Sequence, residues 1–113
     1  MYRHSGFEPP WVAYLVIDNE RCVGTCAFKG APRDGRVEIA YFTFPQYEGR
    51  GLATQMVRSL VAIARAQTPG ITVTAQTLRE ENASTHILAK LGFRQVGTVQ
   101  DDDAGPVWEW HLG

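Results

Sequence analysis

The chain is short of several things, and each shortage closes off a class of protein. No apolar run approaches 18 residues, so no stretch has the length and character of a membrane-spanning helix. The opening residues Met1-Tyr2-Arg3-His4-Ser5 are not followed by the apolar core of a signal peptide, which makes cytoplasmic residence the expectation. Basic residues are not in excess. Eleven Lys and Arg against 12 Asp and Glu give a formal net charge of -1, with nothing to recommend nucleic acid as a partner. Cysteine is scarce, with only Cys22 and Cys26. On one continuous strand they would stand roughly 13 Å apart at ~3.3 Å per residue, beyond the reach of a disulfide. Two ligands are also too few for structural zinc. Two reduced thiols packing as small apolar groups are expected. Repeats, linkers and low-complexity segments are missing as well. What remains is 113 residues with 44% hydrophobic and 20% charged content, the balance of one globular domain over residues 1–113.

Gln46-Tyr47-Glu48-Gly49-Arg50-Gly51-Leu52-Ala53-Thr54 lies between an apolar run (Val37 to Phe44) and a long amphipathic one (Leu52 to Ala66). That order predicts strand, glycine turn, helix. Glycines let the backbone take positive φ and let a ligand come close. The free N–H groups and positive dipole end of the helix then make an anion site. The loop lacks the lysine of a Walker phosphate loop. It also lacks the third glycine of a dinucleotide fingerprint, since that position is Thr54.

Elsewhere the pattern predicts strands over Trp11–Ile17, Arg21–Lys29, Arg36–Phe44, Ile71–Thr77, Phe93–Gln100 and Val107–Leu112. Residues 1–10, with Gly6, Pro9 and Pro10, read as an irregular opening segment, with Phe7 and Trp11 available to cover the core. Gly24 reads as a bulge or a close-approach point. Helices are predicted from Leu52 to Ala66 and from Asn82 or Ser84 to Leu91, the second stopped by Gly92. Alternation in the third strand puts Val37, Ile39, Tyr41 and Thr43 on one face and Glu38, Ala40, Phe42 and Phe44 on the other. Asp101-Asp102-Asp103 reads as a solvated hairpin tip. Three antiparallel strands, helix, strand, helix and hairpin make an α/β chain with a mixed sheet.

From Trp11 to Leu112 the chain resembles the GNAT superfamily of N-acetyltransferases. The resemblance is carried by Glu38-Ile39 on the strand before the loop, Gln46-x-x-Gly49-x-Gly51, Asn82 heading the second helix, and Lys90-Leu91-Gly92-Phe93 closing it. Pro-Pro-Trp, Asn-Ala-Ser-Thr and the final Val-Trp-Glu-Trp resemble most the branch holding the ribosomal-protein alanine N-acetyltransferases. The resemblance implies an α/β (α+β), mostly antiparallel mixed sheet with a splayed central strand pair and two main helices. It implies acetyl-CoA as co-substrate, no metal, and a primary amine of a small molecule or peptide N-terminus as acceptor. Phe42, Thr43 and Phe44 would hold the pantetheine arm through their backbone. Gly49, Arg50, Gly51, Leu52 and Ala53 would hold the pyrophosphate through their N–H groups, in the loop opened by Gln46, with side-chain contacts from Arg50 and Thr54. Asn82 would hydrogen-bond the pantetheine, the alternative being a plain helix cap.

Acetyl transfer needs a neutral amine, and a lysine ammonium titrates near ~10.4 and an α-amino group near ~8. A carboxylate beside the amine removes the proton. Glu38 is the candidate general base, against the alternative of a strand glutamate pairing with Arg36 or Arg21. The tyrosine that many relatives use as general acid is replaced by Leu88, leaving Tyr41 a weak substitute. A thiol titrating near about 8.5 can leave without help.

Relatives begin with a strand and two helices that wall the acceptor site, and here ten residues precede the Trp11 strand. An apolar edge left bare there would favour a homodimer. Two other readings stand beside the enzyme: a non-catalytic acetyl-CoA-binding module on the same fold, and an unrelated nucleotide-binding fold.

Overall fold

Stretches with an apolar period of two and stretches with a period of 3.6 alternate along the sequence, and the backbone follows them. The computed structural model describes residues 2–4, 11 and 13–113. Its strands are β1 (Tyr2–His4), β2 (Ala13–Asp18), β3 (Arg21–Phe28), β4 (Arg36–Thr43), β5 (Thr72–Thr77), β6 (Arg94–Asp101) and β7 (Gly105–Leu112). Its helices are α1 (Leu52–Gln67), between β4 and β5, and α2 (Ala83–Lys90), between β5 and β6. The strands form one sheet in the order β1-β2-β3-β4-β5-β7-β6. Every neighbouring pair is antiparallel except β4 and β5. This is the mixed, mostly antiparallel sheet that the sequence predicts.

One expectation is corrected. Tyr2–His4 form an edge strand against Tyr14–Val16 rather than part of an irregular segment. Three residues are too few for alternation to show, and the cross-strand backbone pairing supplies what the pattern does not. Phe7 lies outside the described residues. Trp11 packs edge-on against Phe28, with ring centroids 5.1 Å apart.

One apolar cluster joins the sheet to both helices. It contains Val37 and Ile39 of β4, Val73 and Ala75 of β5, Met56 and Leu60 of α1, Leu88 of α2, and Trp110. Each large apolar side chain buried there contributes roughly 1.5–3 kcal/mol. The Trp110 indole N–H donates to Thr77 Oγ1 at 3.0 Å, which keeps the polar tip of that ring satisfied. The other face of β4 is barer: Ala40 is exposed and Phe42 is 54% exposed.

Gly24 acts both ways that its type allows. The register of β2 against β3 slips between Val16 and Ile17, opposite Gly24 and Cys22. A Cβ at Gly24 would sit 2.2 Å from the Phe42 carbonyl oxygen and 2.7 Å from the Met56 terminal methyl. The glycine therefore lets β4 and α1 close onto β3 at the level where the glycine loop begins. Both cysteines lie on β3 and are free thiols. Burial pushes the Cys26 thiol up to about 11. Among the described residues no helix is long and apolar enough to cross a membrane.

Candidate active site

β4 and β5 are paired only from Arg36 to Ile39 and from Thr72 to Ala75. Beyond those residues each strand keeps its outer partner: β4 stays on β3 as far as Thr43, and β5 stays on β7 as far as Thr77. Their facing edges part company. Parallel strands that separate inside a sheet leave backbone N–H and C=O groups without a ladder partner, and such groups need one. The opening is the splay that the resemblance implies.

The glycine loop sits at the head of this opening. After a 3₁₀ turn at Pro45–Tyr47, Gly49 and Gly51 take φ of 80° and 75°. Gly51 is the N-cap of α1 in the left-handed region. No side chain caps this end of the helix, and no acidic residue lies in its first turn. The leading N–H groups of α1 and its positive dipole end thus have no side-chain cap, the condition for binding an anion, although Glu48 also borders the cleft. A Cβ at either glycine would meet no protein atom within 4 Å, so the space above the loop is open.

A cleft of about 430 Å³ runs from this loop along the parted edge of β4. Phe42, Thr43, Gly49, Gly51, Leu52, Ala53 and Thr54 line it, together with Tyr41 and the α2 residues Ala83, Ser84 and Ile87. Phe44, Gln46, Arg50 and Asn82 are outside that lining. Phe44 stacks edge-on with Phe42 at 5.8 Å, and the Arg50 guanidinium lies over the Tyr47 ring at 5.5 Å. Asn82 caps α2: its side-chain oxygen accepts from Thr85 N–H at 3.1 Å, while its own N–H donates to Thr85 Oγ1 at 2.9 Å. Thr43 Oγ1 is buried without a hydrogen-bond partner among the described residues.

A second cavity, about 300 Å³, holds Glu38 together with Lys29, Ala40, Gln76, Leu78 and Asp101. It shares Tyr41 and Ser84 with the first, so the two meet at these residues. The partner of Glu38 is neither Arg36 nor Arg21. Lys29 Nζ lies 3.0 Å from Glu38 Oε2. The register explains it: Phe28 faces Ile39, and Lys29 N–H donates to the Glu38 carbonyl at 2.8 Å, which sets the two side chains across from each other. The hydrogen bond to Glu38 raises the Lys29 pKa, against partial burial, with Asp101 and Asp103 adding to the rise. Asp101 accepts backbone N–H bonds from Ala104 and Asp103, which hold its carboxyl below the usual range. At the junction, burial raises the Tyr41 phenol pKa, and a hydrogen bond with Ser84 opposes the rise. Leu88 is fully buried in the core and reaches neither cavity.

Sequence reasoning missed Lys29, because the irregular loop after it hides the pairing register. It placed α2 beside the cofactor through Asn82 but missed Ala83, Ser84 and Ile87, which form the wall. The only signal for that wall was the three-residue spacing of Ser84 and Ile87, which puts them on one helix face.

Solved structures share this architecture. An N-acetyltransferase from Staphylococcus aureus Mu50 is 21% identical, with a TM-score of 0.75 over 89% of this chain and 66% of its own. A ribosomal-protein-S5-alanine acetyltransferase from Vibrio fischeri is 16% identical, with a TM-score of 0.78 over 89% of this chain and 60% of its own. A ribosomal L7/L12 α-N-protein acetyltransferase solved with coenzyme A is 17% identical, with a TM-score of 0.76 over 89% and 60%. The chain thus spans 60% to 66% of the length of these proteins. At such identities the likeness is one of fold. The branch that the sequence resembles is represented among them. No curated protein matches the sequence. A family model of the acetyltransferase (GNAT) domain matches residues 2–94, and the chain belongs to that family.

Proposed function

We propose that this domain is an acetyl-CoA-dependent N-acetyltransferase that acts on a primary amine of a small molecule or a peptide N-terminus by direct attack. The observation that carries the reading is the uncapped N-terminus of α1 at the head of the parted β4 edge. A pyrophosphate needs the first. A pantetheine arm, with its peptide-like amides, suits the second. The buried, unpartnered Thr43 hydroxyl and the open space above Gly49 and Gly51 fit the same ligand. The solved ribosomal L7/L12 relative carries coenzyme A.

In this reading the backbone of Phe42, Thr43 and Phe44 lines up the pantetheine. The N–H groups of Gly49, Arg50, Gly51, Leu52 and Ala53 hold the pyrophosphate, with Gln46 opening the loop and Arg50 and Thr54 adding side-chain contacts. Asn82 gives its carbonyl oxygen to the α2 cap and keeps its amide N–H₂ for the pantetheine. Acetyl-CoA, when bound, supplies a thioester-activated acetyl group. Glu38 takes the proton of the acceptor ammonium, whose place is the second cavity. Tyr41 and Ser84 stand where the two cavities meet and put two hydroxyls at that junction. A cytoplasmic homodimer completes the reading. A clean monomer at high micromolar concentration in the ultracentrifuge would remove the dimer.

Thiol release from acetyl-CoA over a panel of amines tests the proposal. The panel holds N-terminal Ala and Ser peptides, polyamines, aminoglycosides and amino acids. Release with at least one acceptor is expected. Binding of acetyl-CoA with no release from any would favour a non-catalytic acetyl-CoA-binding module. The burial of Leu88, where many relatives carry a proton donor, is the observation on that side.

A further inference from the structure

The cavity assigned to the acceptor amine already contains a primary amine. Lys29 is the first residue after β3, and its Nζ is 3.0 Å from the carboxylate of Glu38. An acceptor bound for transfer would present the same pair of groups, an ammonium hydrogen-bonded to the residue that will take its proton. Two of the residues around that cavity, Tyr41 and Ser84, belong equally to the cofactor cleft. The Lys29 side chain is 47% exposed and lines the cavity, with the Glu38 carboxylate as its ion-pair partner. Tethered to the sheet, an amine that reaches the junction at Tyr41 and Ser84 would meet a bound thioester at a high effective concentration without a binding step.

We propose that Lys29 is a self-acetylation site, modified by the acetyl-CoA bound to its own chain; the inference rests on the transferase reading above. Glu38 takes one proton from the Lys29 ammonium. The neutral amine attacks the thioester carbonyl, an N–C bond forms, and the C–S bond breaks. The second proton leaves nitrogen as the amide forms and ends on the departing thiolate. The products are an Nε-acetyl amide, free CoA and one proton on Glu38. No oxidant or further reactant is needed. The product has no charge at Nζ, so the modification also removes the cation that Glu38 holds.

The sequence supplies its own control. It contains two lysines, Lys29 and Lys90. Lys90 is exposed at the end of α2, outside both cavities, and reports the uncatalysed reaction of a surface lysine with acetyl-CoA. The protein is incubated with isotope-labelled acetyl-CoA, and the two lysine peptides are followed by mass spectrometry. CoA affinity is measured on the same preparation by calorimetry. Lys29 is expected to label about 100-fold faster than Lys90, the lower range of general-base catalysis. Its rate per molecule should not change on dilution, and excess unlabelled CoA should bring it down to that of Lys90. Glu38→Gln should do the same while leaving CoA binding intact. Equal labelling of the two lysines in a protein that binds CoA overturns the proposal and leaves the transferase reading standing. A Lys29 rate that falls in proportion to dilution also overturns it, because transfer is then between molecules. Absence of CoA binding removes both.

Discussion

The two helices of this domain begin in opposite ways. α2 starts with a reciprocal cap in which Asn82 and Thr85 each satisfy the other's backbone N–H. α1 starts at Gly51, in the left-handed region, with no side-chain cap and no carboxylate in its first turn. α1 is 16 residues long against eight, and it buries Met56, Val57, Leu60 and Ala64. Its packing can therefore hold it without a cap, whereas a helix of eight residues is marginal without one. The longer helix is the one whose N-terminal groups have no side-chain cap, and in the proposed reading they hold the pyrophosphate. The shorter one is pinned in place and contributes a wall, through Ala83, Ser84 and Ile87.

This contrast separates binding from chemistry, and substitutions can break it. The largest effect is expected at neither helix. Glu38→Gln should lower turnover by roughly 10²–10⁴-fold and leave CoA affinity alone. Steady-state kinetics with calorimetry checks both halves, and unchanged turnover would take Glu38 out of the mechanism. Gly51→Val comes next. It forces a β-branched residue to φ 75° and fills the space above the loop. CoA should bind at least ~100-fold more weakly, about 2.7 kcal/mol, and the protein should lose ~1–3 kcal/mol of stability to backbone strain. Retained affinity would mean that the α1 terminus is not the anion site.

Asn82 sharpens the other half. Asn82→Ala should cost about 1 kcal/mol of stability, read as a lowered thermal midpoint. Asn82→Asp keeps the acceptor for Thr85 N–H and removes the amide donors. It should leave stability within ~0.5 kcal/mol, and it should weaken CoA roughly five- to tenfold if Asn82 donates to the pantetheine, the effect of one hydrogen bond. No loss of affinity would confine Asn82 to the cap. The smallest effect belongs to Lys29 and Glu38. Pairing raises the Lys29 pKa above its ordinary ~10.4, so its contribution is complete below that value and is lost as pH rises through the folded pKa. Half exposed as Lys29 is, the pair should contribute no more than about 0.5 kcal/mol in a double-mutant cycle at neutral pH, fading above pH ~10.5.

Most of the fold was legible because its signals are local. The 3.6-residue spacing from Leu52 to Ala64 marked α1, and Gly92 marked the end of α2, whose start the pattern left between Asn82 and Ser84. The glycine loop was legible for the same reason: a strand, two glycines and a helix in close succession need nothing distant to interpret them. What stayed hidden depends on pairing register. The Lys29–Glu38 contact follows from Phe28 facing Ile39, and nothing in Gly30 to Gly35 announces that alignment. The strand at Tyr2–His4 was hidden likewise, because its pairing with Tyr14–Val16 is a property of two segments together. Tyr41 shows a different limit. Alternation puts it on the opposite face from Glu38, yet both border the second cavity, which runs along β4 from Glu38, inside the paired stretch, to Tyr41, beyond its end at Ile39.

The parting of β4 from β5 has a consequence for how the protein is made. Most sheets expose unpaired backbone only at their margins, where it can be blunted by charge or proline. This sheet carries such an edge in its middle, flanked by Phe42 and Leu78, which are 54% and 56% exposed. An extended peptide could pair with the track of donors and acceptors that β4 and β5 leave unladdered beyond Ile39 and Ala75, adding the wrong strand. The pantetheine arm, by filling that track, would act as a folding partner as well as a reagent carrier. Refolding in the presence of CoA should then recover more monodisperse protein than refolding without it, at concentrations where strands from neighbouring molecules compete.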